Sequence, residues 1–390
     1  MIYNDVCGDK LSRLGFGLMR LPTLADGQID QALFAQMVDY ALSHGVNYFD
    51  TAYVYHSGWS EVMAGRVLSK YPRDSYRLAS KFPGHTTSEE HYPEAIFEEQ
   101  LERCQTDYFD YYLLHNICEN SYDTYMNPKW GIVKFFEEQR KKGRIRHLGF
   151  SCHAQPPMLE RFVDEVGIPM EFCQIQLNYL DWTLQNAKRK YDFLTKRGIP
   201  VWVMEPVRGG KLAKLPESLM ADLEEKRPGA SAASWGFRWL QNLPNVKMIL
   251  SGMSNPEQME DNVRTFSEGA PLDEAEWQMM LDIAEKLKDS VPCTACRYCV
   301  DGCPQQLDIP RLIRIYNDIR FQKSMTVGME LDALPPEKRP ESCIGCGACM
   351  EICPQKIEIP VVLRDFVERM KEVPKWADVC KEREAGKPKF

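Results

Sequence analysis

Two groups of residues in this chain have types and spacings that carry chemistry. Eight of the fourteen cysteines fall into two copies of one pattern, Cys293, Cys296, Cys299, Cys303-Pro304 and Cys343, Cys346, Cys349, Cys353-Pro354. Three thiolates at i, i+3 and i+6 on a tight loop reach three irons of one cubane. A structural zinc site usually pairs two Cys-x2-Cys knuckles and needs neither the third cysteine nor the Cys-Pro pair. The pattern therefore points to iron–sulfur chemistry. The repeat runs on past the cysteines, since Cys303-Pro-Gln-Gln-Leu-Asp-Ile-Pro310 is echoed by Cys353-Pro-Gln-Lys-Ile-Glu-Ile-Pro360, which implies two similar halves related by a pseudo-dyad. The second group is Asp50, Tyr55, Lys81 and His115. A hydride arriving at a carbonyl carbon leaves charge on oxygen, which needs a proton, and a free phenol with pKa about 10 is too weak an acid to give it readily. An ammonium such as Lys81, held by Asp50, would favour the phenolate of Tyr55 and depress its pKa, while His115 orients the substrate oxygen.

The elements that must position these residues follow from the hydrophobic pattern. From Leu14 to about Asp289, short apolar runs at 14–18, 46–50, 77–82, 109–114, 145–150, 171–177, 200–205 and 246–251 alternate with helix-period stretches near 28–43, 59–69, 89–104, 129–142, 157–166, 183–197, 229–241 and 255–264. Eight strands alternating with eight helices predict a (β/α)8 TIM barrel, an α/β fold whose chemistry collects at the C-terminal ends of the strands. Asp50, Lys81 and His115 end the second, third and fourth barrel strands, and Tyr55 lies in the loop after Asp50. Residues 1–13 suit a small hairpin, and 271–289 an extra helix. The expected domains are the barrel, 1–289, and a small α-helical iron–sulfur domain, 290–390, with the boundary near Ser290. In the second domain the Cys-Pro loops lead into helices at 310–322 and 360–372, joined by a polar linker containing Pro335-Pro336 and Pro340. The tail with Trp376 either packs back on the barrel or is solvated.

Asp-Thr-Ala-x-x-Tyr after Gly-Val-Asn-Tyr-Phe, followed by lysine and histidine at these spacings, resembles the aldo/keto reductase family over roughly residues 1–285. The resemblance implies Tyr55 as general acid, Lys81 and Asp50 as its tuning pair and His115 as the group orienting the carbonyl. It also implies NADPH or NADH as cofactor and a small carbonyl compound as substrate. There is no Gly-x-Gly-x-x-Gly, and the family does not use one. Its nicotinamide carboxamide contacts align with Ser151, Cys152 and Gln174, so serine and glutamine match and asparagine is absent. Its stacking aromatic aligns with Met204, a polarizable substitute. Arg208, Gly209, Gly210 and Lys211 offer backbone and cations to the pyrophosphate, and 249–262 resembles the adenosine-binding segment, with Asn262 at the adenine. The cations that usually clamp a 2′-phosphate align with Gly252 and Gln258, leaving Arg264 as the nearest alternative. The cysteine pattern resembles two-cluster ferredoxins, in which the cysteine of each Cys-Pro pair ligates the other cluster. That implies one [4Fe–4S] on Cys293, Cys296, Cys299 and Cys353 and a second on Cys343, Cys346, Cys349 and Cys303. Together the two resemblances suggest the aldo/keto reductase subgroup with a C-terminal two-cluster ferredoxin-like domain.

Composition sets the remaining bounds. A net charge of −8 argues against nucleic acid as partner, and no apolar run approaches a membrane span. The basic run Arg140–Arg146 reads as cations at a helix C-terminus capped by Gly143. The six other cysteines show no disulfide-framework spacing, which with thiolate-held clusters suggests a reducing, cytoplasmic setting. Substrate choice is expected to rest on Tyr53, Trp59, Phe82, His85 and the segments 116–128 and 208–228. A different reading is kept open: an electron-transfer or redox-sensing protein that docks an electron partner and uses the barrel as a cofactor-binding module.

Overall fold

The computed structural model describes residues 1–288, 291, 293, 295–353, 355–375, 378 and 381; Ser290, Trp376, Cys380 and the side chain of His85 lie outside that description. The chain divides into two compact units, Met1–Leu281 and a second beginning at Asp282, within the helix Glu274–Leu287. In the first, β1 (Tyr3–Val6) and β2 (Asp9–Ser12) form an antiparallel hairpin. The next eight strands are β3 (Leu14–Gly17), β4 (Tyr48–Asp50), β5 (Arg77–Pro83), β6 (Phe109–Ile117), β7 (Ile145–Cys152), β8 (Cys173–Gln176), β9 (Val201–Met204) and β10 (Val246–Ser251). They close into a parallel barrel in the order β10-β3-β4-β5-β6-β7-β8-β9. The strands are buried almost throughout because helices cover one face and the barrel interior the other, which is why they read as continuous apolar runs and not as alternating ones.

Strand periodicity stacks the interior in layers. Tyr48, Ala79, Tyr111, Leu113, Phe172, Trp202, Met248 and Leu250 form an apolar layer closed from below by Val6 and Leu11 of the hairpin. Two residues further along the same strands come Asp50, Lys81, His115, Gln174 and Met204, so the alternation that fills the floor with rings lifts the polar residues to the mouth. On β7 the position between His147 and Ser151 is Gly149. A Cβ there would stand 2.5 Å from the Phe172 carbonyl oxygen, so glycine is what lets β7 and Phe172 approach.

All eight expected barrel helices form, with the sixth split into Asp181–Leu184 and Ala187–Lys196, and the long loops carry two that periodicity did not reveal, Tyr122–Met126 and Glu217–Lys226. The basic run ends the helix Ile132–Lys141, with Gly143 at φ 75°, and its cations are paired: Arg144 with Glu98 and Arg146 with Asp110. Among the described residues no helix is long and apolar enough to cross a membrane.

The second unit is helical. Ile309–Phe321 and Ile359–Met370 pack through Leu312, Ile313, Tyr316, Leu363 and Phe366, and the Tyr316 hydroxyl donates to Asp365. The segment between them is more than a polar linker. It contains the helix Met325–Asp332, capped by Ser324 and burying Val327 and Leu331 in the same core. The two cysteine loops share a backbone: Ala295 and Arg297 have left-handed φ of 54° and 68°, Gly345 and Gly347 have 68° and 82°, and after them Gln306 and Lys356 have 50° and 54°. The sequence repeat is thus a conformational repeat.

Gly149→Ala is expected to destabilise the barrel by about 1–3 kcal/mol, because backbone cannot yield to the added methyl as a flexible side chain would. Urea unfolding followed by tryptophan fluorescence checks this; an unchanged midpoint would contradict the close approach.

Candidate functional site

The four residues expected to do chemistry meet at the barrel mouth. Lys81, fully buried, donates from Nζ to Asp50 Oδ1 at 2.5 Å and to the Thr51 carbonyl at 2.6 Å. The same ammonium stands 4.7 Å from the ring centre of Tyr55, and the Tyr55 ring meets the His115 ring edge-on at 6.0 Å. Tyr55 and His115 are only half-buried, so the inner pair is dry and the outer pair accessible. Burial alone would lower the Lys81 pKa, but the charges of Asp50 and Tyr55 and hydrogen bonds to both raise it above the ordinary lysine value, and Lys81 is an ammonium at neutral pH.

Tyr55 is presented by an unusual turn. His56, Ser57 and Gly58 all have positive φ, 48°, 56° and 97°, before the helix Trp59–Leu68 begins. A Cβ at Gly58 would lie 2.9 Å from Arg103 Nη1. The turn is held from behind: Leu21 N donates to His56 Nε2, Thr51 Oγ1 pairs with Ser60 Oγ at 2.8 Å, and Ser60 reaches the Leu18 carbonyl. Behind it lies a buried set that sequence reasoning missed. Glu61 accepts from Ser80, Gln100 and Arg103, and Arg103 also pairs with Glu99. The i,i+4 spacing of Glu99 and Arg103 is the local trace of this set in the sequence; Glu61 carries none because its partners come from two other elements.

Ser151 and Gln174 are direct neighbours in the β7–β8 register, 1% and 2% exposed. Ser151 Oγ and Gln174 Oε1 have no hydrogen-bond partner among the described residues. A buried hydroxyl beside a buried carbonyl oxygen, both unsatisfied, fits a carboxamide, which offers one acceptor and two donors. Met204 ends β9 half-exposed, beside Gln176. The expected phosphate loop divides. Arg208 is buried with Nε 3.4 Å from Asp181 Oδ1, and Asp181 in turn accepts from Gln176 and Asn178, so Arg208 braces the loop from inside. Gly209 and Gly210, at φ 63° and 93°, and Lys211 lie further out.

Asn262 is buried and donates to Ser251 Oγ at 3.0 Å. Asn255 caps the helix Pro256–Glu268 by accepting from the Gln258 backbone N–H, and the Gln258 side-chain Oε1 reaches back to accept from Ser254 N. Arg264 is paired with Asp261 at 2.5 Å. Arg20, which the sequence did not single out, is exposed, lies against Gly252 and accepts from Ser254 Oγ through its carbonyl. Its signal was topological, since β10 neighbours β3 only once the barrel closes. Two residues expected at the substrate mouth are elsewhere. Phe82 packs against Tyr125 and Phe136, and Tyr53 donates to Glu99 beneath Arg103, because each follows an inward or turn residue and so faces the helices. Trp59 is half-buried under Arg66.

In the second unit the eight cysteines gather around two cavities. Cys293, Cys296, Cys299 and Cys353 line one with Pro310, Ile313, Ile357 and Ile359. Cys303, Cys343, Cys346 and Cys349 line the other with Leu307, Ile309, Pro360 and Leu363. Four sulfurs against an otherwise apolar wall suit a cubane, whose other protein contacts are weak N–H donors such as Leu307 N, 3.5 Å from Cys303 Sγ.

The sequence profile of the aldo/keto reductase family matches residues 13–285, and that of a 4Fe-4S dicluster domain matches residues 292–358. The chain belongs to the aldo/keto reductase family. It is an oxidoreductase whose barrel is followed by an iron–sulfur domain. Among its relatives, an uncharacterized oxidoreductase of Bacillus subtilis (strain 168), YqkF, is 26% identical over 65% of this chain and 87% of its own length. The NADH-specific methylglyoxal reductase of Escherichia coli (strain K12) is 24% identical over 71% of this chain and 96% of its own. The aldo-keto reductase AKR11C1 of Bacillus halodurans, in its holo form, superposes with a TM-score of 0.59 at 26% identity, covering 73% of this chain and 96% of that one.

Cys303→Ala is expected to empty the cavity of Cys343, Cys346 and Cys349 and spare the other, roughly halving iron per chain. Iron and sulfide assay with electron paramagnetic resonance of the reduced protein checks this; loss of the signal belonging to Cys293, Cys296 and Cys299 instead would mean that each loop ligates locally.

Proposed function

We propose that the barrel, residues 1–289, reduces an aldehyde or ketone to its alcohol with NADPH or NADH, and that residues 290–390 hold two [4Fe–4S] clusters in a cytoplasmic protein. The observation that carries this reading is the buried Lys81 ammonium, fixed by Asp50 and facing the ring of Tyr55. When bound, the reduced nicotinamide supplies hydride and the clusters supply one-electron capacity.

The chain's own residues do the rest. Asp50 and Thr51 replace the hydration shell of Lys81, and Lys81 lowers the cost of negative charge on the Tyr55 oxygen, so Tyr55 delivers its proton as charge grows on the substrate oxygen. His115, edge-on to Tyr55, orients that oxygen. Ser151 and Gln174 orient the nicotinamide through its carboxamide, Met204 supports the ring, the Arg208–Gly209–Gly210 turn presents backbone to the pyrophosphate, and Asn262 borders the adenine. Hydride passes to a carbonyl as an electron pair, so this reaction requires no one-electron step, and the clusters serve the second unit's fold or an electron-transfer partner. A protein that only carried electrons would have no use for a buried ammonium at the barrel mouth.

Tyr55→Phe is expected to lower kcat by about 10²–10⁴ and leave cofactor affinity nearly unchanged, since the lost group acts on the proton. Anaerobic NAD(P)H oxidation over a panel of aldehydes and ketones, with fluorescence titration of the cofactor, measures both. Full turnover in the variant would remove the tetrad from the mechanism.

The segment from Gly252 to Arg264 sets the cofactor preference. A clamped 2′-phosphate gains charge-assisted hydrogen bonds of roughly 1.5–3 kcal/mol each, and this segment offers a glutamine whose side chain is engaged by Ser254 N and an arginine already paired with Asp261. NADH and NADPH are therefore expected to bind within about tenfold of one another. A large preference for NADPH that disappears in Arg20→Ala would show that Arg20 supplies the clamp.

A further inference from the structure

The floor of the barrel gathers a donor set that the carbonyl chemistry does not use. The hairpin turn between β1 and β2 is Cys7-Gly8, flanked by the pair Val6 and Asp9, and both turn residues have positive φ, 53° and 85°. Such a turn matches the strand twist and normally selects asparagine or glycine at its first position. A cysteine there is an expensive choice. The turn places Cys7 against the floor layer, where His147 at the start of β7 and Glu171 just before β8 also converge, and one ligand atom from each of the three lies within 4.8 Å of the others.

The surroundings are arranged as a metal site would need. His147 Nδ1 is 2.7 Å from Glu171 Oε2, while Glu171 Oε1 is taken up by Leu148 N and Arg140, so a bound ion would replace the Nδ1–Oε2 contact and take both atoms as ligands. The other imidazole nitrogen, Nε2, faces Asp9 Oδ2 at 3.8 Å, and Asp9 is itself fixed by Arg77 and the Tyr111 hydroxyl. At that distance Asp9 does not hydrogen-bond the imidazole, but a small approach would let it accept from Nε2–H and leave Nδ1 for the ion. Cys7, His147 and Glu171 are all half-buried, so an ion has a path in.

We propose that Cys7, His147 and Glu171 bind a zinc-like divalent cation on the barrel floor, with water completing a tetrahedral set. Sulfur, imidazole nitrogen and one carboxylate oxygen make a borderline-soft set that selects zinc over magnesium or calcium. Ligand bonds of about 2.0–2.3 Å need donor atoms roughly 3.4 Å apart, so the Cys7 thiol draws in from within the 4.8 Å that now spans the set, and the His147–Glu171 pair, now 2.7 Å apart, opens slightly. Thiolate and carboxylate together neutralise the ion, and the Cys7 proton leaves to solvent. The cation then pins the hairpin to β7 and to the entry of β8. The site lies at the opposite end of the strands from Lys81, which assigns it to stability and not to the carbonyl reaction.

The test uses the full chain with its clusters loaded, under anaerobic conditions, so that the eight cluster cysteines are occupied, and takes zinc chloride alone as probe with the clusters' visible absorption monitored for constancy. In the wild type, zinc is expected to be retained at one equivalent, to slow iodoacetamide alkylation of Cys7, read by peptide mass spectrometry, at least tenfold, and to raise the barrel's unfolding midpoint by about 5 °C at saturating metal. His147→Gln keeps a hydrogen-bonding side chain beside Glu171 and keeps Cys7 available as the reporter; it is expected to lose all three effects. Cys7 alkylation that is indifferent to zinc in the wild type, or equally protected in His147→Gln, overturns the proposal.

Discussion

An ammonium with no surface in contact with water is tolerable only where fixed oxygens stand in for its hydration shell, and Lys81 imposes that demand on the whole upper barrel. Asp50 must end β4 facing inward, Thr51 must turn its carbonyl back toward β5, and both require the two strands in their observed register. The residue after Lys81 must then face outward, which places Phe82 among the helix aromatics. Glu61, Ser80 and Gln100 lock the back of the same strand, so the polar barrel mouth and the helix layer are not independent designs. A charge buried at one point propagates as a constraint on register, turn and packing.

The layer beneath gives that constraint its footing. Tyr48, Tyr111, Phe172 and Trp202 fill the barrel with rings that water cannot penetrate, and the polar residues above them inherit a low-dielectric base. In such a setting Ser151 and Gln174, paired in register and unsatisfied, are costly unless something polar completes them. Floor and mouth are thus two readings of one alternation, and Gly149 marks the place where β7 passes from the first to the second.

How much of this was legible in the sequence depended on whether the cause was local. The eight barrel strands and the hairpin announced themselves through apolar runs and turn residues, and Asp50, Lys81 and His115 were found because strand ends are where a barrel exposes chemistry. The Cys-Pro repeat predicted two equivalent loops, and the matched left-handed positions bear this out. What escaped had non-local causes. Arg20 meets Gly252 only through closure of β3 on β10, Glu61 is explained by partners from β5 and the helix Pro93–Cys104, and Arg208, expected at a phosphate, is turned inward by Asp181. The helix Met325–Asp332 is hidden because it is short and its apolar residues, Met325, Val327, Met329 and Leu331, fall at every second position and not at a helical period, so the prolines around it dominate the reading.

The two cysteine cavities differ from ordinary pockets in that neither belongs to one stretch of chain. Each takes three sulfurs from one loop and the fourth from the other. During synthesis the loop with Cys293, Cys296 and Cys299 leaves the ribosome well ahead of Cys353, and Cys303 has to wait for Cys343, Cys346 and Cys349. No nascent intermediate that stops short of Cys343 has either container, and at Cys353 both are completed within a few residues of each other. The crossing therefore makes the two sites interdependent: a chain that ends before Cys343 carries neither complete set of four sulfurs, and synthesis of the second loop completes both.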